Sequence, residues 1–328
     1  MANFLRTVLI QNRAEAADRT FQQDLPVNPL SQILFTIRGI ITSADTANPL
    51  ADIYNTIPSL AVRYRGQDII RGSFLDLAVI NACITHNAPF GYMPQDAAGE
   101  SWSLTVAINL GRMPYNVKEC FPAVRRGDLV LEATVDTVVN NVDLIDIQVE
   151  TVELLDETPE RYLKYTTSQN TFVSTGVEVV RLPIGNPLLS VLLFGTTTPT
   201  AALQTATWEQ LRTKVDNVEA LYAASNWATL HGELLRRIHG DITHLRDHAH
   251  RFNGAAAAFA NTLDPIRNGS NEALEQYAYL DFDPLGDSTF MLETAGRADV
   301  TIQRDAGTAD LGRFIPVELV SIGGQAGS

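Results

Sequence analysis

The stretch SWSLTVAINL, residues 101–110, decides the fold class. Trp102, Leu104, Val106, Ile108 and Leu110 alternate with Ser103, Thr105, Ala107 and Asn109. A period of two puts every large apolar group on one face of a strand, because successive Cβ atoms point to opposite sides of a sheet. One face is core and the other meets solvent or a neighbour.

The same period recurs on both sides of this stretch. Upstream, Ile33, Phe35 and Ile37 alternate with Leu34, Thr36 and Arg38, and Leu60, Val62 and Tyr64 alternate with Ala61, Arg63 and Arg65. Downstream, Leu129, Leu131, Ala133 and Val135 repeat the pattern, followed by Ile145, Ile147 and Val149 against Asp146, Gln148 and Glu150. With a further strand expected near Gly72 to Asn81, the first half holds at least six. The connections from Ser43 to Pro58 and from His86 to Glu100 are too long for hairpin turns and suit the crossing loops of a jelly roll. The sequence therefore predicts a mainly β protein with a first jelly roll over residues 27–157.

The charged, proline-containing segment Leu155 to Glu160 marks the boundary to a second sandwich over residues 158–328. Its candidate strands are Phe172 to Leu182, the continuous apolar run Leu188 to Phe194, Ala278 to Phe282, Phe290 to Leu292, Val300 to Ile302 and Ile315 to Leu319. Between them the texture changes. Trp208, Leu211, Val215, Val218 and Leu221 recur at steps of three and four, as do Trp227, Leu230, Leu234 and Ile238, and Ala255 to Ala260 has high helix propensity. A helical insertion is expected at about residues 205–265. The two antiparallel jelly-roll sandwiches stand in tandem without a visible sequence repeat.

Residues 1–26 read as a short N-terminal helical arm, with Phe4, Leu5, Val8 and Leu9 at helical spacing and Pro26 ending it. Those four residues are the candidate docking surface, toward a neighbouring subunit or an inner surface. The three Arg and three acidic residues of the arm cancel, unlike a basic genome-binding arm.

Formal charge over the 328 residues is −14, from 24 basic and 38 acidic residues. Such a field repels phosphate backbones, so no direct nucleic acid partner is expected. Cys83 and Cys120, without metal-ligand spacing, read as free buried thiols. No apolar run approaches the roughly 18 residues that span a bilayer, and the N-terminus lacks a signal-peptide pattern, so a soluble cytosolic product is expected.

Motifs for chemistry are weak. His244 and His248 share a helical face but lack the HExxH glutamate, and a solvated helix is the preferred reading. Asp281 and Asp283 in DFDPLGDS lack the ligand spacing of a calcium loop and suit a turn. Asp146, Glu150 and Glu153 read as a solvated strand face, since general acid/base work needs two carboxylates across a cleft. The sequon at Asn268 matters only in a secretory pathway. No nucleophile motif or phosphate-binding loop is present, so neither enzyme activity nor a cofactor or catalytic or metal site is expected.

The order of these segments resembles the double jelly-roll major capsid proteins of tailless, icosahedral, membrane-containing phages, the tectivirus type, related in fold to adenovirus hexon. The likeness rests on QILFTIRGIITSAD, SLAVRYRGQDIIRGSFLDLAVINACITHNAP, SWSLTVAINLGRM, GDLVLEATVDTV and VDLIDIQVETVEL in the first half. In the second half it rests on NTFVSTGVEVVRL, NPLLSVLLFGT, TWEQLRTKVDNVEALYAASNWATLHGELLRRI, YAYLDFDPLGD, STFMLET, ADVTIQRD and FIPVELVSI. The resemblance implies a self-assembling major capsid protein: a homotrimer forming a pseudo-hexagonal tile of an icosahedral virion, made in the host cytoplasm. Its implied partners are neighbouring capsomers, penton or minor capsid proteins and an underlying viral membrane. The rivals are a carbohydrate- or receptor-binding sandwich, such as a phage spike or lectin, and a cupin or jelly-roll glycosidase. The first rival calls for exposed aromatics on loops, whereas Trp102, Trp208 and Trp227 fall in inward-facing patterns. A cupin needs histidines on barrel strands, and five of six histidines here fall between His231 and His250.

Overall fold

The computed structural model describes residues 3–42, 53–87, 90–92, 99–139, 142–173, 176–198, 206–239, 274, 276–305 and 307–325. The chain divides into two compact units, Met1–Leu163 with Ile238–Leu274 and Ile322–Ser328, and Lys164–Arg237 with Glu275–Ser321.

The first unit contains β1 (Asn3–Glu15), β2 (Arg19–Asp24), β3 (Leu30–Ile41), β4 (Ser59–Tyr64), β5 (Gln67–Gly72), α1 (Phe74–Thr85), β6 (Phe90–Tyr92), β7 (Ser101–Asn109), β8 (Leu129–Val135) and β9 (Val142–Leu155). One sheet runs β1-β9-β3-β7-β6 and a second contains the path β5-β4-β8-β2. With β1, β2, β3, β4, β5, β7, β8 and β9 counted as strands one to eight, the orders are 1-8-3-6 and 2-7-4-5. That is the jelly roll, in which every connection crosses from one sheet to the other except 4-5.

The inward rows predicted by alternation are buried as expected: Ile33, Phe35 and Ile37 on β3, Trp102 to Ile108 on β7, and Leu129 to Val135 on β8. The segment Gly72 to Asn81, expected as a strand, is instead the end of β5 and most of α1. Ser73 caps this helix, accepting from the Asp76 amide at 3.1 Å, while Asp76 accepts from the Ser73 amide at 3.4 Å. This reciprocal cap selects helix for an apolar run that has no amphipathic stripe because it is buried nearly all round. Ser73→Ala is expected to cost about 1 kcal/mol, read as a shift in the urea midpoint; no shift would mean the cap is dispensable.

A buried carboxylate ties the long loop before β8 to Arg161, in the segment that follows β9. Glu119 is bonded by Arg112 Nε at 2.9 Å, and Arg161 Nη2 approaches it at 3.4 Å. Burial alone pushes this carboxyl up, but Arg112 and Arg161 outweigh it and hold it below the ordinary 4.5. The loop folds tightly here: a Cβ on Gly111 would lie 1.9 Å from the Glu119 carbonyl oxygen, a close approach only glycine permits.

The second unit contains β10 (Arg161–Thr166, from Lys164 on), β11 (Ser168–Thr171), β12 (Glu178–Arg181), β13 (Leu188–Gly195), β14 (Gln210–Val215), β15 (Val218–Glu219), β16 (Ser225–Asn226), α2 (Trp227–His239, through Arg237), β17 (Tyr277–Asp281), β18 (Val300–Arg304) and β19 (Leu311–Ser321). The orders are β17-β13-β19-β10 and β12-β18-β14-β15. With β10, β12, β13, β14, β15, β17, β18 and β19 as strands one to eight, these are again 6-3-8-1 and 2-7-4-5. Among the described residues, α1 lies between strands five and six of the first roll and α2 between strands five and six of the second. The repeat that the sequence hides is explicit in the topology.

The helix expected over Trp208 to Leu221 is absent. Those residues form β14 and β15, joined at Asp216 and Asn217, both with positive φ (50° and 66°). Two left-handed residues in a two-residue loop make the type I′ hairpin that Asp and Asn favour. Trp208 and Leu211 still enter the core, with Phe172, Leu193, Leu230 and Phe282. The helix expected at Trp227 to Ile238 is α2, and these apolar residues are buried. Ala255 to Ala260 lie outside the described residues.

Arg304 is the unusual core residue, with 0% exposure. Its guanidinium donates to the carbonyls of Thr207, Thr308 (3.0 Å) and Val173 (2.6 Å), pairs with Glu178 at 2.9 Å and lies 4.2 Å from the Phe172 ring centroid. Three loops thereby share one donor.

Candidate interaction surface

The predicted docking residues lie on a strand. Asn3–Glu15 is β1, an end strand of its sheet, paired antiparallel with β9 from Asn3↔Leu155 to Glu15↔Ile145. The helical arm is thus corrected to the first strand of the first jelly roll. The helix-like spacing of Phe4, Leu5, Val8 and Leu9 has another cause: Asn3 to Arg6 are exposed on both faces of the strand, so no buried face imposes a period of two on them.

Phe4 is 60% exposed, Leu5 46% and Val8 51%, while Leu9 is half-buried. The Phe4 ring meets that of half-exposed Tyr115 edge-on at 5.2 Å. The strand's polar groups are engaged along the sheet: Arg6 bonds Glu150, Thr7 bonds Glu153 at 2.8 Å, and Arg13 and Arg19 both reach the buried Glu15. Among the described residues no strand pairs with the outer edge of β1, which exposes Phe4, Leu5 and Val8 together with Asn3, Arg6, Gln11 and Asn12. Such edges are pairing templates unless something covers them.

The other sequence candidates fall elsewhere. Glu153 is buried and bonded by Thr7 and by Asn28 at 2.8 Å, so only Asp146 and Glu150 fit the half-exposed strand face expected of the three. β1 covers the strand beside Glu153, a packing no local pattern announces. Asp281 pairs with Arg237, and burial raises its carboxyl against that cation; Asp283 is buried, accepting from the Ser288 amide at 2.9 Å within a turn. His244, His248 and Asn268 lie outside the described residues. Cys83 and Cys120 are free and buried, and burial pushes the Cys120 thiol up to about 12. Among the described residues, no group of three His, Cys, Asp or Glu side chains is placed to hold a metal, and no helix is long and apolar enough to cross a membrane. Trp102, Trp208 and Trp227 are all buried, as their patterns predicted.

Two rolls of identical strand order in one chain define a class: the chain has the double jelly-roll fold of viral major capsid proteins. No protein-family model and no curated protein matches the sequence. Solved structures do match, nearly end to end. The major capsid protein P2 from Bacteriophage PM2 aligns with a TM-score of 0.61 and 11% identity, over 98% of this chain and 99% of that one. The STIV MCP aligns at 0.63 and 14%, over 99% and 100%, and the PBCV-1 virus capsid at 0.59 and 10%, over 97% and 94%. At these identities the likeness is one of fold.

Proposed function

We propose that this chain is a major capsid protein that self-assembles as pseudo-hexagonal trimers into an icosahedral virus shell. The observation that carries the reading is the tandem pair of jelly rolls, matched over nearly the whole chain by capsid proteins of three viruses. Its role is structural and not catalytic. Its partners are further copies of itself, neighbouring capsomers, penton or minor capsid proteins and an underlying viral membrane. Phe4, Leu5, Val8 and Leu9 serve as docking residues, a reading supported by the exposure of Phe4, Leu5 and Val8 on a strand at the end of its sheet. The −14 charge suits a shell set apart from the genome.

Light scattering on the purified chain is expected to give three times the 35.9 kDa chain mass, and electron microscopy of assemblies to show hexagonal tiles. A stable monomer that binds glycans at micromolar or better affinity would instead support the spike or lectin reading.

A further inference from the structure

Lys118, Lys164 and Lys214 are the only lysines among 24 basic residues, so this chain makes its ion pairs chiefly with arginine. Among the described residues, the buried carboxylates Glu15 and Glu119 are each met by two arginines. Glu318, 4% exposed, is different: its cation is Lys164, whose Nζ donates to Oε1 at 2.9 Å. The difference is chemical. A guanidinium keeps its protons in any protein setting, whereas a lysine can give one to a buried acceptor and become a nucleophile.

The other oxygen of the same carboxyl holds an electrophile. Asn186 Nδ2 donates to Glu318 Oε2 at 2.8 Å, so one carboxyl gathers an amine on one oxygen and a carboxamide on the other. The three residues come from neighbouring strands of one sheet: Lys164 on β10, Glu318 on β19 and Asn186 just before β13. Leu188 pairs with Glu318, and the Leu319 amide donates to the Pro187 carbonyl at 2.9 Å, which fixes the backbone of Asn186 beside Glu318. Pro187 also protects the carboxamide. Asparagine is ordinarily lost when the next backbone N–H attacks its side chain, and proline has no N–H.

We propose that Lys164 and Asn186 join in an isopeptide bond, with Glu318 as the proton carrier. Nζ gives a proton to Glu318 Oε1 and attacks Cγ of Asn186, forming the Nζ–Cγ bond. Glu318, at hydrogen-bond distance from both groups, passes the two protons that Nζ loses to Nδ2. The Cγ–Nδ2 bond breaks, the nitrogen departs as ammonium, and Glu318 is again a carboxylate. The step balances without an oxidant or a co-reactant. Burial of Glu318 favours the first transfer, because a neutral amine and acid are cheaper to bury than two ions. The Lys164 side chain is 33% exposed, which leaves ammonium a way out. The bond spans β19 and closes the chain between residues 164 and 186, so unfolding no longer separates β10 from β13.

Intact mass spectrometry of the purified, denatured chain is the test. The wild type is expected to weigh less than its sequence by one molecule of ammonia. Its tryptic digest should contain residues 162–181, uncleaved after Lys164, joined to residues 182–212. Lys164→Arg, which keeps a cation on Glu318, and Asn186→Ala should each show the full sequence mass, as should Glu318→Gln, which cannot accept the proton. A wild-type chain at full mass would overturn the bond, and that outcome depends on no variant's folding. Loss of ammonia that persists in Lys164→Arg would overturn it too, by placing the loss at another residue. Full cross-linking in Glu318→Gln would overturn the role given to Glu318. The bond forms within one chain, so these results are distinct from the oligomeric state that tests the capsid reading.

Discussion

Arg304→Ala is expected to destabilise the second jelly roll by about 3–5 kcal/mol, the range for removing one partner of a buried charged pair. The loss exceeds that of an ordinary core truncation because one guanidinium serves three loops. Without it the carbonyls of Val173, Thr207 and Thr308 lose their shared donor and Glu178 loses its cation. Arg304→Lys keeps the charge but not the planar fork, and should recover less than half the loss. Glu178→Gln leaves the carbonyl contacts in place but strips the fully buried guanidinium of its paired carboxylate, and should cost about 3 kcal/mol. Urea denaturation followed by tryptophan fluorescence reports on this unit, which holds Trp208 and Trp227. A loss for Arg304→Ala under about 1 kcal/mol would show that the loops hold themselves.

In the first jelly roll the corresponding effect belongs to Glu119. Glu119→Ala is expected to cost about 3–5 kcal/mol, since it removes the carboxylate on which Arg112 and Arg161 converge. The acid limb supplies an independent readout. The native Glu119 carboxyl is held below its ordinary 4.5, so the unfolded chain takes up the proton first as pH falls. The contribution is fully present above pH 4.5 and is lost as the pH falls from there through the depressed native value. Glu119→Gln should therefore flatten the decline in stability below pH 4.5, and a limb of unchanged slope would exclude Glu119 as its source. Asp18 and Asp216, held low by hydrogen bonds, and Asp310, where hydrogen bonds outweigh its burial, contribute to the background slope that remains.

Much of the architecture was legible residue by residue. Wherever one face of a strand is core and the other is wet, the period of two is clean, as in Trp102 to Ile108 and Leu129 to Val135. α2 was legible because Trp227, Leu230, Leu234 and Ile238 form one stripe. The three misreadings have separate causes. The start of β1 is exposed on both faces, so nothing imposes a period of two and Phe4, Leu5, Val8 and Leu9 imitate helical spacing. The β14–β15 hairpin places Trp208, Leu211, Val215 and Val218 at steps of three and four by coincidence, and its one honest local signal was the Asp216-Asn217 pair. In α1 burial on nearly every side erased the stripe, and the Ser73–Asp76 cap was the signal that remained. The four residues proposed for docking read as a helix in the sequence and lie on a strand, because the strand conformation of residues 3–15 is set by the pairing with β9.

The sequence by itself determined that this is a β-rich, two-part chain with buried tryptophans, free thiols and a strongly acidic balance, because each of these depends on local periodicity or on counting. Only the tertiary structure decided that both parts are jelly rolls of one topology, that residues 3–15 are a strand, and that Arg304 and Glu119 are buried hubs. The physical reason is separation along the chain. β1 meets β9 through Asn3↔Leu155, and Arg304 gathers carbonyls as distant as Val173. Contacts of that span leave no mark on the neighbouring residues from which a sequence is read.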